Sequence, residues 1–257
     1  MVEYVIKEND TLVINDNEEY IITGDGNLNI IIGENVSAKV LLKDSTSNIN
    51  LNMKNYSFLD LVEVNYKDTN NKILASILDN ASLKYTSLSS KNLSEDLVIN
   101  LDGYKASANV ECLVLNKDNK SDFNQQIYHN AKETNSHVNN IGLALDNAAI
   151  DFETISKINK GMSKSNASQL ARGIIIGEHA YITSQPILKI DEYDVKANHG
   201  TAIGRMSDNE LFYLMSRGLT KEEAYKLILF GLITPVIMSI WNEEEANNYF
   251  NFLNNLL

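Results

Sequence analysis

Few residues in this 257-residue chain could bind metal or move protons near neutral pH, and they are scattered. The histidines are His129, His137, His179 and His199, and the single cysteine is Cys112. A metal site draws several His, Cys or carboxylate ligands together, or sets a pair one helical turn apart. None of these spacings makes such a motif by itself. For His129, His137 and His179 the plainer reading is a turn or surface histidine. Cys112 lies in Val110-Glu-Cys-Leu-Val-Leu115, a strand pattern, and reads as a buried core thiol. One cysteine makes no internal disulfide and holds no all-cysteine cluster within one chain. Asp146, Asp151 and Glu153 read as turns and solvated faces; the competing role is a carboxylate pair for glycoside chemistry. No Gly-x4-Gly-Lys-Ser/Thr loop, no Gly-x-Gly-x-x-Gly after a strand and no Gly-x-Ser-x-Gly elbow is present. ATP hydrolysis by this chain is therefore not expected.

Composition narrows the partners. The net charge is −12 and no Lys/Arg run is longer than two, so nucleic-acid binding is not expected. No apolar run is long enough for a membrane span. Met1-Val-Glu-Tyr-Val-Ile-Lys-Glu-Asn-Asp10 has neither a basic start nor an apolar signal core, which predicts a cytoplasmic location. Hydrophobic residues make up 44% of the chain, enough for a large core.

The elements that must position these residues change character near residue 205. Before it, Leu28–Ile32, Ala38–Leu42, Asn48–Met53 and Leu97–Leu101 read as short strands, punctuated by Asn and Asp turns. A weak repeat pairs Leu78–Leu88 with Leu145–Ile155, and turn residues recur at 35, 80, 147 and 179. Two of those spacings are near multiples of about 22 residues, a reasonable solenoid coil; the third is not. Asp25-Gly26 and Asp102-Gly103 are the only two-residue hairpin candidates, which favours stacked parallel strands over an antiparallel sandwich. After residue 205 the pattern is helical. Ser207-x-x-Glu210 and Thr220-x-x-Glu223 are capping boxes, and Gly218 and Gly231 end their helices. Leu232–Ile240 and Asn242–Leu257 predict a third and a fourth helix. The expected architecture is mostly β, a β-solenoid over 1–205, with a C-terminal α-helical subdomain over 206–257. That subdomain is expected to close the open end of the solenoid.

Several stretches around this boundary resemble the SufB/SufD family of iron–sulfur cluster assembly scaffold proteins. They are Ser163-Lys-Ser165, Gln169-x-x-Arg172, Pro186-x-Leu-x-Ile190, Asp194-Val195 and His199-Gly200. Leu211-Phe-Tyr-Leu-x-Ser-Arg-Gly218 and Lys221-Glu-Glu-Ala-x-x-Leu-Ile-Leu-x-Gly231 extend the likeness, which covers residues 130–235. The resemblance implies a right-handed parallel β-helix core. The family's larger members carry a helical region ahead of that core, so this chain looks like a shortened form.

The resemblance also assigns roles. His199 falls where family members place a histidine at the subunit interface, implicated in forming the nascent cluster. It is the candidate iron–sulfur and metal ligand here, beside the plainer reading of a histidine bonded to a backbone carbonyl. The position of the essential SufB cysteine is Ile190, and Gly200-Thr-Ala-Ile-Gly204 is similar to the SufD version. A SufD-like, non-catalytic subunit is implied, pairing with a SufB-like chain or a second copy of itself. Its cofactor would be a transient iron–sulfur cluster at the subunit interface, with nothing held tightly. A flavin has been associated with the family's complexes, but no residue here argues for one. In the family the C-terminal region docks SufC, an ABC-type ATPase. Tyr213, Arg217, Lys221, Glu222, Glu223 and Tyr225 are the candidate docking residues. The alternative from another class is a β-helix carbohydrate enzyme, a polysaccharide lyase or glycosidase.

Overall fold

Alternation decides this fold. Along most strands every second residue is apolar, so each strand has a face that must leave water. The computed structural model describes residues 1–256. The first strands are β1 (Val2–Val5), β2 (Asn9–Ile14), β3 (Glu19–Thr23), β4 (Gly26–Ile32), β5 (Ser37–Lys43) and β6 (Ser47–Met53). Then come β7 (Phe58–Asn65), β8 (Thr69–Ile77), β9 (Ser82–Ser89), β10 (Leu93–Leu101), β11 (Ser107–Lys117) and β12 (Lys120–His129). The last are β13 (Asn135–Leu145), β14 (Ala149–Ile158), β15 (Asn166–Ile175), β16 (Tyr181–Ile190) and β17 (Lys196–Arg205). Odd strands form a nine-stranded sheet and even strands an eight-stranded one, each in numerical order. Every pairing is parallel, strand to next-but-one strand. The chain is thus a parallel β-solenoid, and the antiparallel sandwich is excluded.

The coil is not of constant length. Asn9 and Asn27 stack 18 residues apart near the start, and Asp151 and Thr183 stack 32 apart near the end. No single period could describe it, and the repeat read from the sequence needs correction. Asn80 turns between β8 and β9, and its N–H bonds Tyr104 O one coil on at 2.8 Å. Asn147 turns between β13 and β14 on the opposite edge, and its side chain bonds Asp118 at 2.7 Å. The two segments look alike because each corner needs a left-handed residue, Asn80 at φ 55° and Asp146 at φ 49°. The residues that do stack on one edge are Asn35, Tyr56, Asn80, Lys105, Glu133 and Lys164, all at positive φ. Each N–H donates to a carbonyl of the next coil, so the backbone repeats where the side chains do not.

The interior is filled by the inward rows of both sheets, among them Ile30, Leu51, Leu61, Ile73, Leu97 and Val110. The outward face of the odd sheet is also apolar. Leu41, Val62, Val64, Leu88, Leu113, Leu115, Ile141 and Leu143 form a second core with the C-terminal helices. These are α1 (Asp208–Ser216), α2 (Lys221–Ile237) and α3 (Glu243–Leu256).

Two helical expectations are corrected. Among the described residues there are three helices and not four, because α2 continues through Gly231 and Pro235. A proline here removes the donor for the Gly231 carbonyl and costs about 3 kcal/mol. Against that, Leu229, Ile233, Val236 and Ile237 are buried on one face of α2, each stabilising by about 1.5–3 kcal/mol. The helices also lie over the flank of the odd sheet and do not close the solenoid end. The row of outward apolar side chains is what draws them there. α3 is pinned by Lys43 to Glu245 at 2.7 Å, by Tyr66 Oη donating to Glu245 at 2.6 Å, and by Tyr249 Oη donating to Ser89 O at 3.0 Å. No helix among the described residues is long and apolar enough to cross a membrane.

Candidate functional site

His199 lies on β17, the last strand, which has a neighbour only on its β15 side. Its register partner is Gln169, which pairs in turn with Val138, and Val138 with Val110. His199 therefore belongs to an inward column of the solenoid. It is nonetheless exposed, as are most residues of β17, because no further coil stacks beyond it. Leu188, Ile190 and Ile203 of the same coil are only half-buried. The position before the histidine is fixed: Ser168 Oγ donates to Asn198 Oδ1 at 2.9 Å. Among the described residues the imidazole has no hydrogen-bond partner, so the carbonyl-bonded reading of His199 is not what the fold shows.

Behind Gln169 runs a file of buried polar side chains. Gln169 Nε2 donates to Ser156 Oγ at 2.8 Å and to Thr154 O at 3.2 Å. Thr154 Oγ1 donates to Gln125 Oε1 at 2.9 Å, and the amides of Gln125 and Asn140 bond each other at 2.9 and 3.1 Å. Gln125 Nε2 also reaches Cys112 Sγ at 3.1 Å. One coil further in, Ser87 Oγ donates to Glu95 at 2.9 Å, and Tyr85 Oη lies 2.9 Å from Glu95 and 2.7 Å from Glu63. Sequence reasoning missed these residues, although the signal is there. In Leu93-x-Glu95-x-Leu97-x-Ile99 the glutamate falls in phase with the buried row, as Gln125 does between Phe123 and Ile127.

The other candidates disperse. Cys112 is buried on β11, and burial first, then the charges of Glu95 and Glu63, pushes its thiol well up. It is a core thiol. His129 is fully buried, a correction to its surface reading, because it is inward on β12 and completed by Thr134 at 2.7 Å and Ser136 at 2.9 Å. Burial pushes it down to about 4, so the ring is neutral. His137 is half-buried and His179 is exposed in a turn. Asp146 pairs with Lys117 at 3.5 Å, while Asp151 and Glu153 stand on the outer face of the even sheet, Asp151 accepting from Thr183.

The α1–α2 hairpin is built from local signals. Ser207 Oγ accepts from Glu210 N at 3.4 Å, and Gly218 at φ 100° ends the first helix. Thr220 and Glu223 form a complete capping box. Arg217 Nη2 donates to Tyr213 Oη at 3.1 Å, and Lys221 lies over the Tyr225 ring. Tyr213, Arg217, Lys221, Glu222 and Glu223 are exposed and Tyr225 is half-buried. An apolar groove between the helices is lined by Tyr213, Leu214, Leu227, Ile228 and Gly231. Phe212, Met215 and Leu227 are also exposed, an unusual concentration of bare apolar surface.

The family model for the SufBD core domain of SUF system FeS cluster assembly matches residues 18–232. The chain belongs to the SufBD family. The match runs from the first coils through His199 to the apolar groove of the hairpin. An iron–sulfur cluster assembly protein SufD of Bacillus subtilis is 37% identical over 139 residues, 54% of this chain and 32% of that protein. SufD of Escherichia coli is 24% identical over 144 residues, 56% of this chain and 34% of that protein. An iron–sulfur cluster assembly SufBD family protein of Mycobacterium tuberculosis is 28% identical over 120 residues, 47% of this chain and 14% of that protein. The matched stretch thus spans between 14% and 34% of these relatives.

The family's description, FeS cluster assembly, makes the residues able to hold iron the ones to examine. Among the described residues no three His, Cys, Asp or Glu converge to hold a metal. The terminal coil offers one open imidazole, and Ile190, in the inward column of Ile158 and His129, offers no thiol. A cluster at His199 would need its remaining ligands from another chain.

Proposed function

We propose that this SufBD protein is a non-catalytic, SufD-like subunit that meets a second solenoid end-on through its terminal coil. The bare end of the solenoid carries this reading. β17 presents an open parallel edge, the inward residues Leu188, Ile190 and Ile203 are only half-covered, and His199 stands among them. Free strand edges and apolar coil ends are ordinarily covered, because unpaired backbone and exposed apolar area favour association. A second solenoid of the same cross-section, from a SufB-like chain or another copy, would cover both. It would also bring further ligands to His199, so that a cluster forms transiently between subunits as the assembled cargo.

The α1–α2 hairpin is the proposed seat of a SufC-type ATPase. Its apolar groove supplies contact area and Tyr213, Arg217, Lys221, Glu222, Glu223 and Tyr225 supply a polar rim, the anatomy of a docking surface. Because α2 also packs on the solenoid flank, movement of the ATPase would be transmitted to the body that carries His199. The test is co-expression with a SufC-type ATPase and a SufB-type chain, followed by size exclusion with mass determination. A stable complex containing this chain and the ATPase is expected, and lost on Leu227→Asp. A chain that stays monomeric in the presence of both would overturn the assignment.

A further inference from the structure

The interior of a β-solenoid is a poor place for charge, yet Glu63 and Glu95 are both buried there, on β7 and β10. Burying an isolated carboxylate is costly, and two near each other more so. No lysine or arginine offsets them from inside: among the described residues the inward positions of β7 to β12 hold Tyr85, Cys112 and His129 as the other titratable groups. The nearby charges on outward faces are Asp96 and Glu111, which are acidic, and Lys72 and Lys84, which face away toward Asp96 and Asp60.

The hydrogen bonds say how this is resolved. Tyr85 Oη sits 2.7 Å from Glu63 Oε2 and 2.9 Å from Glu95 Oε2. A phenol has one proton, so it can donate to one of these oxygens only. The other contact is a hydrogen bond only if that carboxyl brings its own proton. The donors identify which. Glu63 Oε1 accepts from Asn65 at 2.6 Å and from Asn71, a set that favours its charged form. Glu95 takes one such donor, Ser87 Oγ on Oε2 at 2.9 Å, and its buried Oε1 has none among the described residues. We propose that Glu63, Tyr85 and Glu95 are a buried binding site for one resident proton, held by Glu95. Glu95 Oε2–H donates to Tyr85 Oη, Tyr85 O–H donates to Glu63 Oε2, and the triplet carries a single negative charge. A shift of both protons along the two bonds moves the acid to Glu63 and leaves atoms and charge balanced. The burial that raises both carboxyls, and the Glu63 charge that further raises Glu95, act in the same direction.

The ligand is a proton and not a metal ion, and infrared spectroscopy of the full chain with isotope-labelled glutamate distinguishes them. At pH 7 the wild-type protein should show the carbonyl stretch of one undissociated carboxyl. Glu95→Gln should abolish it and Glu63→Gln should leave it. Absence of the band from wild-type protein, its persistence in Glu95→Gln, or a stoichiometric cation in elemental analysis would each overturn the site. If Glu95→Gln does not fold, the wild-type spectrum and its titration still decide. Melting temperature supplies a second readout. The native state holds a proton that the unfolded chain releases in the ordinary carboxylate range, so stability should fall as pH rises from about 5 and level off at about 8, the value to which burial and the Glu63 charge push Glu95 up. Glu95→Gln should flatten that fall by at least half; an unchanged slope would count against Glu95 as the holder.

Discussion

The flank of the odd sheet and the last coil of the solenoid are built from the same kind of strand, yet one is roofed and the other bare. On the flank, Leu113, Leu115, Ile141 and Leu143 face outward and are covered by Ile233, Ile237, Tyr249 and Leu253. On the last coil, Leu188, Ile190 and Ile203 face inward and lack a coil to cover them. The end left bare has an open strand edge, β17, and carries the exposed imidazole of His199. Apolar surface that a chain covers from its own sequence is structural, and apolar surface that it leaves beside a potential ligand is a place for a partner.

The strongest way to break this contrast is to remove the roof. Deleting residues 207–257 should uncover the outward row and yield a product that aggregates or binds hydrophobic dye. A monomeric truncation with an unchanged strand spectrum would show that the flank does not need the helices. Tyr249→Ala comes next. It empties a fully buried site against Tyr66 and Phe252 and removes the donor to Ser89 O. A loss of about 3–5 kcal/mol is expected by denaturant melting. A loss under about 1 kcal/mol would mean that α3 is held elsewhere.

Much of this contrast is legible in the sequence and part is not. Period-2 alternation marks the strands, and the N-cap residues Ser207 and Thr220, the latter in a complete capping box, mark two helix starts, because both are set within a few residues. The solenoid period is illegible because the coil lengthens and because left-handed corners accept Asn80, Lys105 and Glu133 alike, where backbone pairing and not side-chain type enforces the turn. Pro235 misleads because local propensity is overridden by burial of Ile233, Val236 and Ile237. Of the candidate site, His199 is placed by its motif. Its inward column and its bare far side follow only from register. The buried Glu95 and Gln125 sit in phase with apolar rows, and an alternation count that scored polar intruders would have found them.

The smallest expected effect is the one that matters most for the bare end. His199 is exposed on an edge strand and its side chain has no hydrogen bond among the described residues to lose, so His199→Ala should change stability by no more than about 0.5 kcal/mol. On the proposed function, cluster formation in a reconstituted assembly should fall sharply with the same substitution, because the proposed interfacial ligand would be missing while the subunits still fold and pair. The two readouts separate the alternatives. A large stability loss would make His199 a packing residue of the last coil. Unchanged stability with unchanged cluster yield would leave the end as a pairing surface whose ligands come from the other chain. Only the combination of an intact fold, intact pairing and lost cluster places the imidazole at the point of assembly, and it does so without relying on Ile190, where a thiol would otherwise have been the simpler ligand.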